Sequence, residues 1–382
     1  MFEHNAGAES NPVNLAEYAR LARKRAEPSA WDFIAGGSDD ERTLAANRAA
    51  FERWTLRPRI LSGRDTVDVS VHLFGRTLAS PLLVAPIGYQ GLAHPAAEVA
   101  TVQGAGAAHT AMVVSTMSNR TLEDLARAAS APLWFQLYCL KDPGLTLSLV
   151  RRAESAGYEA LVITVDMPRM GRRERDLRNG FALPAHLRPS NLLMEASPEL
   201  HRSQQGTSGV ALHVGQLFDA ALSWSTVERL KQQTALPVLL KGVLTREDAQ
   251  RAASVGIDGI IVSNHGGRQL DGAPASLDVL PEVVEGAGGR CRILLDGGIR
   301  RGTDVLKARA LGADAVLIGR PIMWGLIARG AEGVTDVLRL LRAELEQALA
   351  LCGQSRWTEI DRSLVASAPP CGGGWSAPEE GL

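Results

Sequence analysis

The sequence is poor in cysteine and has no excess of charge of either sign. Its 382 residues include only four cysteines, which lie far apart and form no CxxC pair: Cys139, Cys291, Cys352 and Cys371. Cysteines in this arrangement predict reduced thiols rather than a zinc site or a disulfide framework, so we expect no metal. Because 41 Lys and Arg nearly cancel 42 Asp and Glu, no global field would attract nucleic acid or a membrane surface. Any anion site must therefore be local.

Long hydrophobic runs are also missing. No stretch approaches the length of about eighteen apolar residues that a membrane-spanning helix needs. The first residues, MFEHNAGAESNPVN, are polar and lack the basic-then-apolar order of a secretory signal. We therefore expect a cytoplasmic protein with no membrane partner. The hydrophobic fraction of 45% is that of an ordinary globular protein with a large core.

Short apolar runs rich in Val, Ile and Leu recur along the chain. Eight of them are present, at 81–85, 111–115, 133–137, 160–165, 236–240, 258–263, 292–296 and 314–318. Amphipathic segments lie between them, for example at 121–129, 143–156, 245–255 and 302–311. Near-continuous apolar strands joined by helical crossovers predict a parallel sheet that is buried on both faces. Eight such strands predict the α/β class and closure into a (β/α)₈ TIM barrel.

The rest of the chain surrounds this predicted barrel. The longest gap, between the fourth and fifth runs, holds a polar stretch from about 183 to 222 that we interpret as an active-site lid. Residues 14–55 predict an N-terminal helical extension with Asn14 as a possible cap, and 56–80 an irregular or β approach. We expect one domain over 14–365 and a disordered Pro- and Gly-rich tail over 366–382.

Polar residues and glycines follow every predicted strand, where barrels collect their ligands. In strand order they are Pro86-Ile87-Gly88, Ser115, Gln136 with Tyr138, Thr164 with Asp166, Lys241, Ser263 with His265 and Arg268, Asp296, and Gly319-Arg320. The seventh and eighth exits combine glycines with arginines and precede helices: Gly297, Gly298 and Arg300, then Gly319 and Arg320. Close backbone approach, helix N-termini and guanidinium groups together predict a phosphate site. It would hold either a flavin phosphate or a phosphorylated substrate.

The segment Ser263-Asn264-His265-Gly266-Gly267-Arg268 is the most distinctive exit. A histidine titrates near neutrality and can act as a general base, and Asp166 could orient its ring. Arg173 and Arg268 would suit a small carboxylic acid, and Tyr138 could donate to a substrate oxygen. The residues alone leave three roles open for Lys241: a Schiff-base nucleophile, an ion-pair partner, or a positive charge beside a reduced flavin.

Several motifs occur together in one order: TVDMPRMGRRERD, LPVLLKGV, SNHGGRQLDG, RGTDVLKARALGA and LIGRP. Over residues 14–365 the sequence thereby resembles the FMN-dependent 2-hydroxy acid oxidases and dehydrogenases, which include glycolate oxidase, lactate oxidase and mandelate dehydrogenase. The resemblance implies oxidation of an (S)-2-hydroxy acid to the 2-oxo acid, with reoxidation by O₂ to give H₂O₂. It also implies a homo-oligomer, a tetramer or octamer.

Carried over by position, the resemblance implies a role for each strand-end residue. His265 would take the proton with Asp166 in support, Arg173 and Arg268 would hold the carboxylate, and Tyr138 would stabilise the reacting oxygen. Lys241 would lie by the flavin N1/O2 edge. The flavin ring would be bound by the backbone of Pro86, Ile87 and Gly88 and by Ser115, Gln136, Thr164 and Ser263. The ribityl and phosphate groups would be held by Asp296, Gly297, Gly298, Arg300, Gly319 and Arg320. Hydride transfer and a carbanion route both remain open.

The chain departs from the family pattern at the substrate pocket. Phe33 stands where many relatives have a tyrosine that binds the carboxylate, Met117 where glycolate oxidase has tryptophan, and Gly88 where it has alanine. An apolar ring and an adaptable side chain would favour a larger, aromatic acid such as mandelate or p-hydroxymandelate. By Phe33, RNGFALP and PIMW, the sequence looks most like the p-hydroxymandelate oxidases.

Three alternatives remain open from the sequence. A barrel isomerase or aldolase that binds a phosphorylated substrate would use the same glycine-rich exits and Lys241, and its purified protein would be colourless. A flavin dehydrogenase would pass electrons to a quinone or protein acceptor, and its reduced form would react slowly with O₂. A non-catalytic binding module is disfavoured by the intact set of His265, Arg173, Arg268 and Lys241.

Overall fold

A computed structural model describes residues 11–192 and 209–368. The chain begins with three helices: α1 Leu15–Arg25, α2 Pro28–Ala35 and α3 Arg42–Glu52. The side-chain oxygen of Asn14 accepts a hydrogen bond of 2.9 Å from the backbone N–H of Glu17 and so satisfies a free donor of the first turn. The predicted helical extension and its cap are confirmed.

Eight parallel strands form a closed barrel in which each strand pairs with the next along the chain and the last pairs with the first. The strands are β4 Leu82–Val84, β5 Met112–Ser115, β6 Leu133–Leu137, β7 Leu161–Thr164, β8 Val238–Val243, β9 Gly259–Val262, β10 Arg292–Asp296 and β11 Ala315–Ile318. Each predicted apolar run overlaps one of them. Nearly all of their residues are buried, as expected for strands enclosed between the barrel interior and the outer helices. The predicted (β/α)₈ fold is confirmed.

Helices connect and cover the strands. They are α4 Glu98–Ala107, α5 Leu122–Ala128, α6 Pro143–Ser155, α7 Glu174–Arg178, α8 Gly209–Leu217, α9 Trp224–Gln232, α10 Arg246–Ser254, α11 Ser276–Ala287, α12 Gly302–Ala310 and α13 Arg320–Leu351. Short 3₁₀ helices cover Gln90–Leu92, Trp357–Glu359 and Arg362–Leu364. Helix α13 is kinked at Arg329 and Gly330, whose φ and ψ angles are not helical. The long connection between β7 and β8 contains α7, α8 and α9, and part of the predicted lid, 193–208, lies outside the described residues.

Small antiparallel sheets flank the barrel. Strand β1 Trp54–Leu56 pairs with β12 Val365–Ser367, and β2 Val71–Leu73 pairs with β3 Arg76–Leu78. The approach segment 56–80 therefore contains the predicted β structure. Pairing continues two residues past the domain boundary that the sequence suggested at 365. The tail from 369 to 382 lies outside the described residues, so its predicted disorder stays a prediction.

Helix α3 packs against two loops at the carboxyl end of the barrel. The amides of Asn47 and Asn264 exchange hydrogen bonds of 2.9 and 2.8 Å, which tie α3 to the loop after β9. At the exit of β10, Gly298 has a φ of +80° and lies so close to α3 that a Cβ there would be 2.1 Å from the carbonyl oxygen of Asn47. The N-terminal extension thus fixes the loops that carry the predicted site.

No helix in the described parts of the chain is long and apolar enough to cross a membrane.

We expect Gly298→Ala to destabilise the protein far more than Gly289→Ala. Both glycines have positive φ, but a Cβ at Gly289 would meet nothing within 4 Å, so that variant measures backbone strain alone. The added overlap with Asn47 should cost a further 1–3 kcal/mol, roughly, in free energy of unfolding. Urea unfolding of both variants checks this, and equal losses would contradict the close packing of α3 on the β10 exit.

Candidate active site

A cavity opens at the carboxyl end of the barrel and is lined by residues from all eight strand exits. Most of the predicted site residues lie on its wall: Phe33, Pro86, Ile87, Gly88, Ser115, Met117, Tyr138, Thr164, Arg173, Lys241, His265, Arg268, Asp296, Gly297, Gly298, Arg300, Gly319 and Arg320. The topology explains why these residues lie together, since the carboxyl ends of parallel barrel strands meet at one rim.

The other three predicted residues lie directly behind this wall. Asp166 is hydrogen-bonded to His265. Gln136 donates from Nε2 to Oγ1 of Thr164 at 2.9 Å, and its Oε1 accepts from Oγ of Ser115 at 3.1 Å. Oγ of Ser263 accepts from Nζ of Lys241 at 2.8 Å. These residues therefore support neighbours that line the cavity.

The His265 side chain is held by its backbone and by Asp166. His265 has a φ of +60°, and the next two glycines, Gly266 and Gly267, also have positive φ. The left-handed turn is stabilised by a 3.0 Å hydrogen bond from the His265 N–H to Oγ of Ser263. Nδ1 lies 2.9 Å from Oδ1 of Asp166. If Nδ1 carries the proton and donates it to this carboxylate, Nε2 presents a lone pair.

Nε2 of His265 lies 3.4 Å from the hydroxyl oxygen of Tyr138, on the cavity wall. Burial raises the pKa of Tyr138, and the nearby charge of Asp166 raises it further, so the phenol stays protonated. Burial would raise the pKa of Asp166, but the electrostatic interaction and hydrogen bond with His265, followed by the charge of Lys241, outweigh burial and lower the pKa. The site therefore combines a proton acceptor, an ionised carboxylate behind it and a phenol donor.

Lys241 forms a buried ion pair with Asp296, with 3.0 Å between Nζ and Oδ2. Burial alone would lower the pKa of Lys241, but the charges of Asp296 and Asp166 raise it. The ammonium is therefore protonated, which disfavours the Schiff-base role because a nucleophilic lysine needs a neutral amine. Oδ1 of Asp296 is buried and has no hydrogen-bond partner in the described parts of the chain.

Arg173 and Arg268 both lie against the ring of Phe33, with guanidinium carbons 5.4 and 5.2 Å from its centroid. NH1 of Arg268 also donates to the carbonyl oxygen of Gly36 at 2.8 Å. Burial, and then the positive charges of Arg173 and Arg320, lower the pKa of Arg268 well below its usual value. Crowding of cations in a buried pocket is relieved by an anion, so this region suits a carboxylate.

Arg320 was predicted to hold a phosphate, and its observed partners are backbone carbonyls. Its guanidinium donates to Ala35 at 3.1 Å, to Gly36 at 2.8 Å and to Gly266 at 2.9 Å. Burial, followed by repulsion from Arg173, lowers its pKa to about 10. Arg320 thus joins the end of α2, where helix carbonyls favour a cation, to the turn that carries His265. Contact of this side chain with a phosphate stays a prediction.

Asp176 is a charged residue of the site that the sequence reasoning missed. Its side chain lies in α7, is 2% exposed, and has no hydrogen-bond partner at either oxygen in the described residues. Burial raises its pKa, while the charges of Arg173 and Arg268 oppose the rise. Its carboxyl group interacts electrostatically with both guanidinium groups and, when ionised, offsets part of their positive charge. Its position three residues after Arg173, within RRERD, was the available signal.

An apolar wall was also missed. Val210, Val214 and Phe218 line the cavity from α8 and the residue after it, and the Phe218 ring stacks on Tyr138 with 4.7 Å between centroids. Their spacing of four residues marks one face of a helix and was readable in the sequence. Another aromatic residue, Tyr89, lies on the wall just after the predicted Pro86–Gly88 exit.

The wall that includes Lys241 and the β10 and β11 exits fits FMN. The protonated Lys241 can stabilise negative charge on a flavin, and the free Oδ1 of Asp296 can accept from a ribityl hydroxyl. Positive φ at Gly297 and Gly298 lets a ligand approach the backbone, and Arg300, stacked 4.7 Å from the Trp324 ring, adds positive charge. In the described residues, no group of three or more His, Cys, Asp or Glu could hold a metal ion.

Fold and site together define a barrel with a hydrogen-bonded His–Asp pair, two buried arginines and glycine-rich strand exits around one cavity, which is the arrangement of a barrel enzyme. The sequence profile of the FMN-dependent dehydrogenase family matches residues 22–367. The chain belongs to this family. The predicted family and the FMN cofactor are confirmed, and membership favours redox chemistry over the isomerase or aldolase alternative.

Individual relatives are similar over nearly their whole length. The chain is 48% identical to an L-lactate oxidase of Nostoc sp., over 93% of this chain and 98% of the relative. It is 49% identical to a 4-hydroxymandelate oxidase of Amycolatopsis orientalis, over 89% and 94%. The crystal structure of a mandelate oxidase with (S)-4-hydroxymandelic acid superposes with a TM-score of 0.89 at 47% identity, covering 93% of this chain and 99% of that one.

We expect Lys241→Met to cost about 3–5 kcal/mol in free energy of unfolding, because it leaves the buried carboxylate of Asp296 without its cation. Adding Asp296→Asn should recover a large part of the loss, since the unpaired charge is then removed. Denaturant unfolding of the two single variants and the double variant measures the coupling. Losses that simply add would show that the two groups do not depend on each other.

Proposed function

We propose that the chain is an FMN-dependent oxidase that converts an (S)-2-hydroxy acid to the 2-oxo acid. The observation that carries this proposal is the hydrogen bond between Asp166 and Nδ1 of His265, which presents Nε2 beside a cavity that Arg173 and Arg268 make electropositive. A base next to a carboxylate pocket suits removal of a proton from a 2-hydroxy acid. Family membership supplies the redox partner.

Each residue then has a part in the reaction. Arg173 and Arg268 bind the carboxylate and thereby orient the carbon that carries the hydroxyl group. Tyr138 donates a hydrogen bond to the reacting oxygen, and His265 accepts the proton at Nε2. The ionised Asp166 stabilises the imidazolium that forms. Both the hydroxyl proton and the Cα proton remain candidates for this transfer.

The cofactor would be held by other residues of the strand exits. Pro86–Gly88, Ser115 and Thr164 would contact the ring, with Gln136 and Ser263 supporting them from behind, and Lys241 would supply positive charge. Asp296, Gly297, Gly298, Arg300, Gly319 and Arg320 would hold the ribityl and phosphate groups. When bound, FMN would supply a two-electron acceptor that passes its electrons to O₂ and so gives H₂O₂.

Oxygen as the final acceptor is supported by relatives named lactate oxidase and 4-hydroxymandelate oxidase. A dehydrogenase that uses a quinone or protein acceptor is the alternative. Rapid mixing of the reduced protein with O₂ separates them, because an oxidase reoxidises within its turnover time. Slow reoxidation together with fast turnover on an added quinone would favour the dehydrogenase.

An aromatic substrate is supported by the pocket itself. The ring of Phe33 stacks on Phe181 with 4.6 Å between centroids, and Met117 and Phe218 add apolar surface to the cavity wall. Such a wall would bury a phenyl ring more favourably than a methyl group. The mandelate oxidase structure with (S)-4-hydroxymandelic acid supports the same class. We therefore propose mandelate or p-hydroxymandelate as substrates.

We also propose a cytoplasmic homo-oligomer, a tetramer or octamer. Among the described residues, Cys139, Cys291 and Cys352 are free thiols, which is typical of a reducing compartment. The oligomer rests on the family resemblance, and light scattering of the purified protein tests it.

We expect His265→Asn to lower kcat for (S)-mandelate about 10²–10⁴-fold, because it removes the base. Binding of phenylacetate, which has the carboxylate and ring but no hydroxyl to oxidise, should change little. The same substitution at the exposed His72, His72→Asn, is the matched control and should leave kcat unchanged. Release of the 2-oxo acid measures the rate. Near-normal turnover in His265→Asn would remove this histidine from the mechanism.

A further inference from the structure

Tyr89 is a polar side chain of the cavity for which the proposed mechanism has no use. It follows the β4 exit, has a φ of +56° and is 4% exposed. Its hydroxyl is buried and has no hydrogen-bond partner within residues 11–192 and 209–368. Buried phenol hydroxyls in folded proteins nearly always have a partner, so one that lines a ligand cavity calls for a ligand group.

The neighbours of Tyr89 place it at the polar end of the cavity. Its ring packs edge-on against Phe33, with 6.4 Å between centroids and 66° between planes. The guanidinium groups of Arg173 and Arg268 lie against the same Phe33 ring. The Tyr89 phenol lies close enough to Tyr138 and to the positive charge of Arg173 to interact with both electrostatically. These residues surround the place assigned to the carboxylate and hydroxyl of the substrate.

The hydroxyl is a donor in this setting. Burial raises the pKa of Tyr89, so the phenol keeps its proton at any physiological pH. A carboxylate offers about four acceptor positions on its two oxygens. NH1 of Arg268 already donates to the carbonyls of Gly36 and Ile34 and is not available to the substrate. The substrate carboxylate therefore has acceptor positions that the two arginines do not fill, and another donor can use them.

We propose that the Tyr89 hydroxyl donates a hydrogen bond to the substrate carboxylate and completes the site formed by Arg173 and Arg268. This assignment rests on the proposed function for the identity of the ligand as a carboxylic acid. Tyr89 is thereby a substrate-binding residue that contributes to affinity for the acid and has no part in proton transfer. The competing assignment is a contact with a hydroxyl on the aromatic ring of the substrate.

The test is calorimetric binding of acetate, phenylacetate and 4-hydroxyphenylacetate to the FMN-loaded protein and its Tyr89→Phe variant. We expect the variant to bind all three about tenfold more weakly, as for loss of a hydrogen bond to a charged acceptor. Loss confined to 4-hydroxyphenylacetate would assign the hydroxyl to the ring substituent and overturn the proposal. Unchanged binding of all three would overturn it as well.

Tyr158→Phe is the matched control. Tyr158 is also a buried tyrosine, but its hydroxyl donates to the carbonyl of Leu122 at 3.2 Å, and the residue does not line the cavity. We expect Tyr158→Phe to lower the melting temperature and leave acid binding unchanged. Tyr89→Phe should weaken acid binding and leave the melting temperature unchanged, because it removes a hydroxyl that has no partner among the described residues. A lowered melting temperature with unchanged binding in Tyr89→Phe would show a merely structural role.

A second variant tests the proposal without altering Tyr89. Phe33→Tyr places another hydroxyl beside the same two arginines. If Tyr89 already supplies this donor, phenylacetate should bind at most about twofold more tightly, whereas a tenfold gain would show that the carboxylate lacked it. In the double variant Phe33→Tyr/Tyr89→Phe, affinity should recover towards that of the native protein.

The outcomes separate this proposal from the proposed function. If the native protein oxidises 2-hydroxy acids and Tyr89→Phe binds the acids normally, only the Tyr89 assignment is wrong. If the native protein binds the acids through Tyr89 but oxidises no 2-hydroxy acid, only the proposed function is wrong.

Discussion

The hydrogen bond between Nδ1 of His265 and Asp166 is the interaction on which the site depends. An imidazole is a base only at a nitrogen that lacks a proton, and donation from Nδ1 to this carboxylate would leave a lone pair on Nε2, beside the cavity. The left-handed backbone at His265, followed by Gly266 and Gly267, brings the ring to Asp166 across the barrel mouth. Burial would raise the pKa of this carboxylate, but the interaction with His265 and then the charge of Lys241 lower it.

Charge balance around this pair explains why the cavity suits an acid. Lys241 forms an ion pair with Asp296. The carboxylate charge that acts on both buried guanidinium groups, those of Arg173 and Arg268, is that of Asp176, which has no hydrogen-bond partner in the described residues. The carbonyl of Gly36, at the end of α2, accepts hydrogen bonds from both Arg268 and Arg320 and so fixes the positions of their guanidinium groups. A bound carboxylate would therefore relieve repulsion that the folded chain leaves uncompensated.

The barrel and most of its cavity wall could be predicted from the sequence because they follow from local order. Apolar runs define the strands, and the residue after each run must lie at the rim, as Lys241 and His265 do. Contacts made between distant elements were not predictable in this way. The backbone partners of Arg320 depend on how α2 packs. That the Tyr89 hydroxyl has no partner among the described residues is apparent only from the surroundings of its side chain.

The central claim is that this site removes two electrons from a 2-hydroxy acid. Its most direct test is anaerobic addition of (S)-mandelate to the purified FMN-loaded protein while the absorbance of oxidised flavin is followed. We expect loss of that absorbance with formation of one equivalent of the 2-oxo acid. Persistent absorbance with mandelate, p-hydroxymandelate, lactate and glycolate would contradict it.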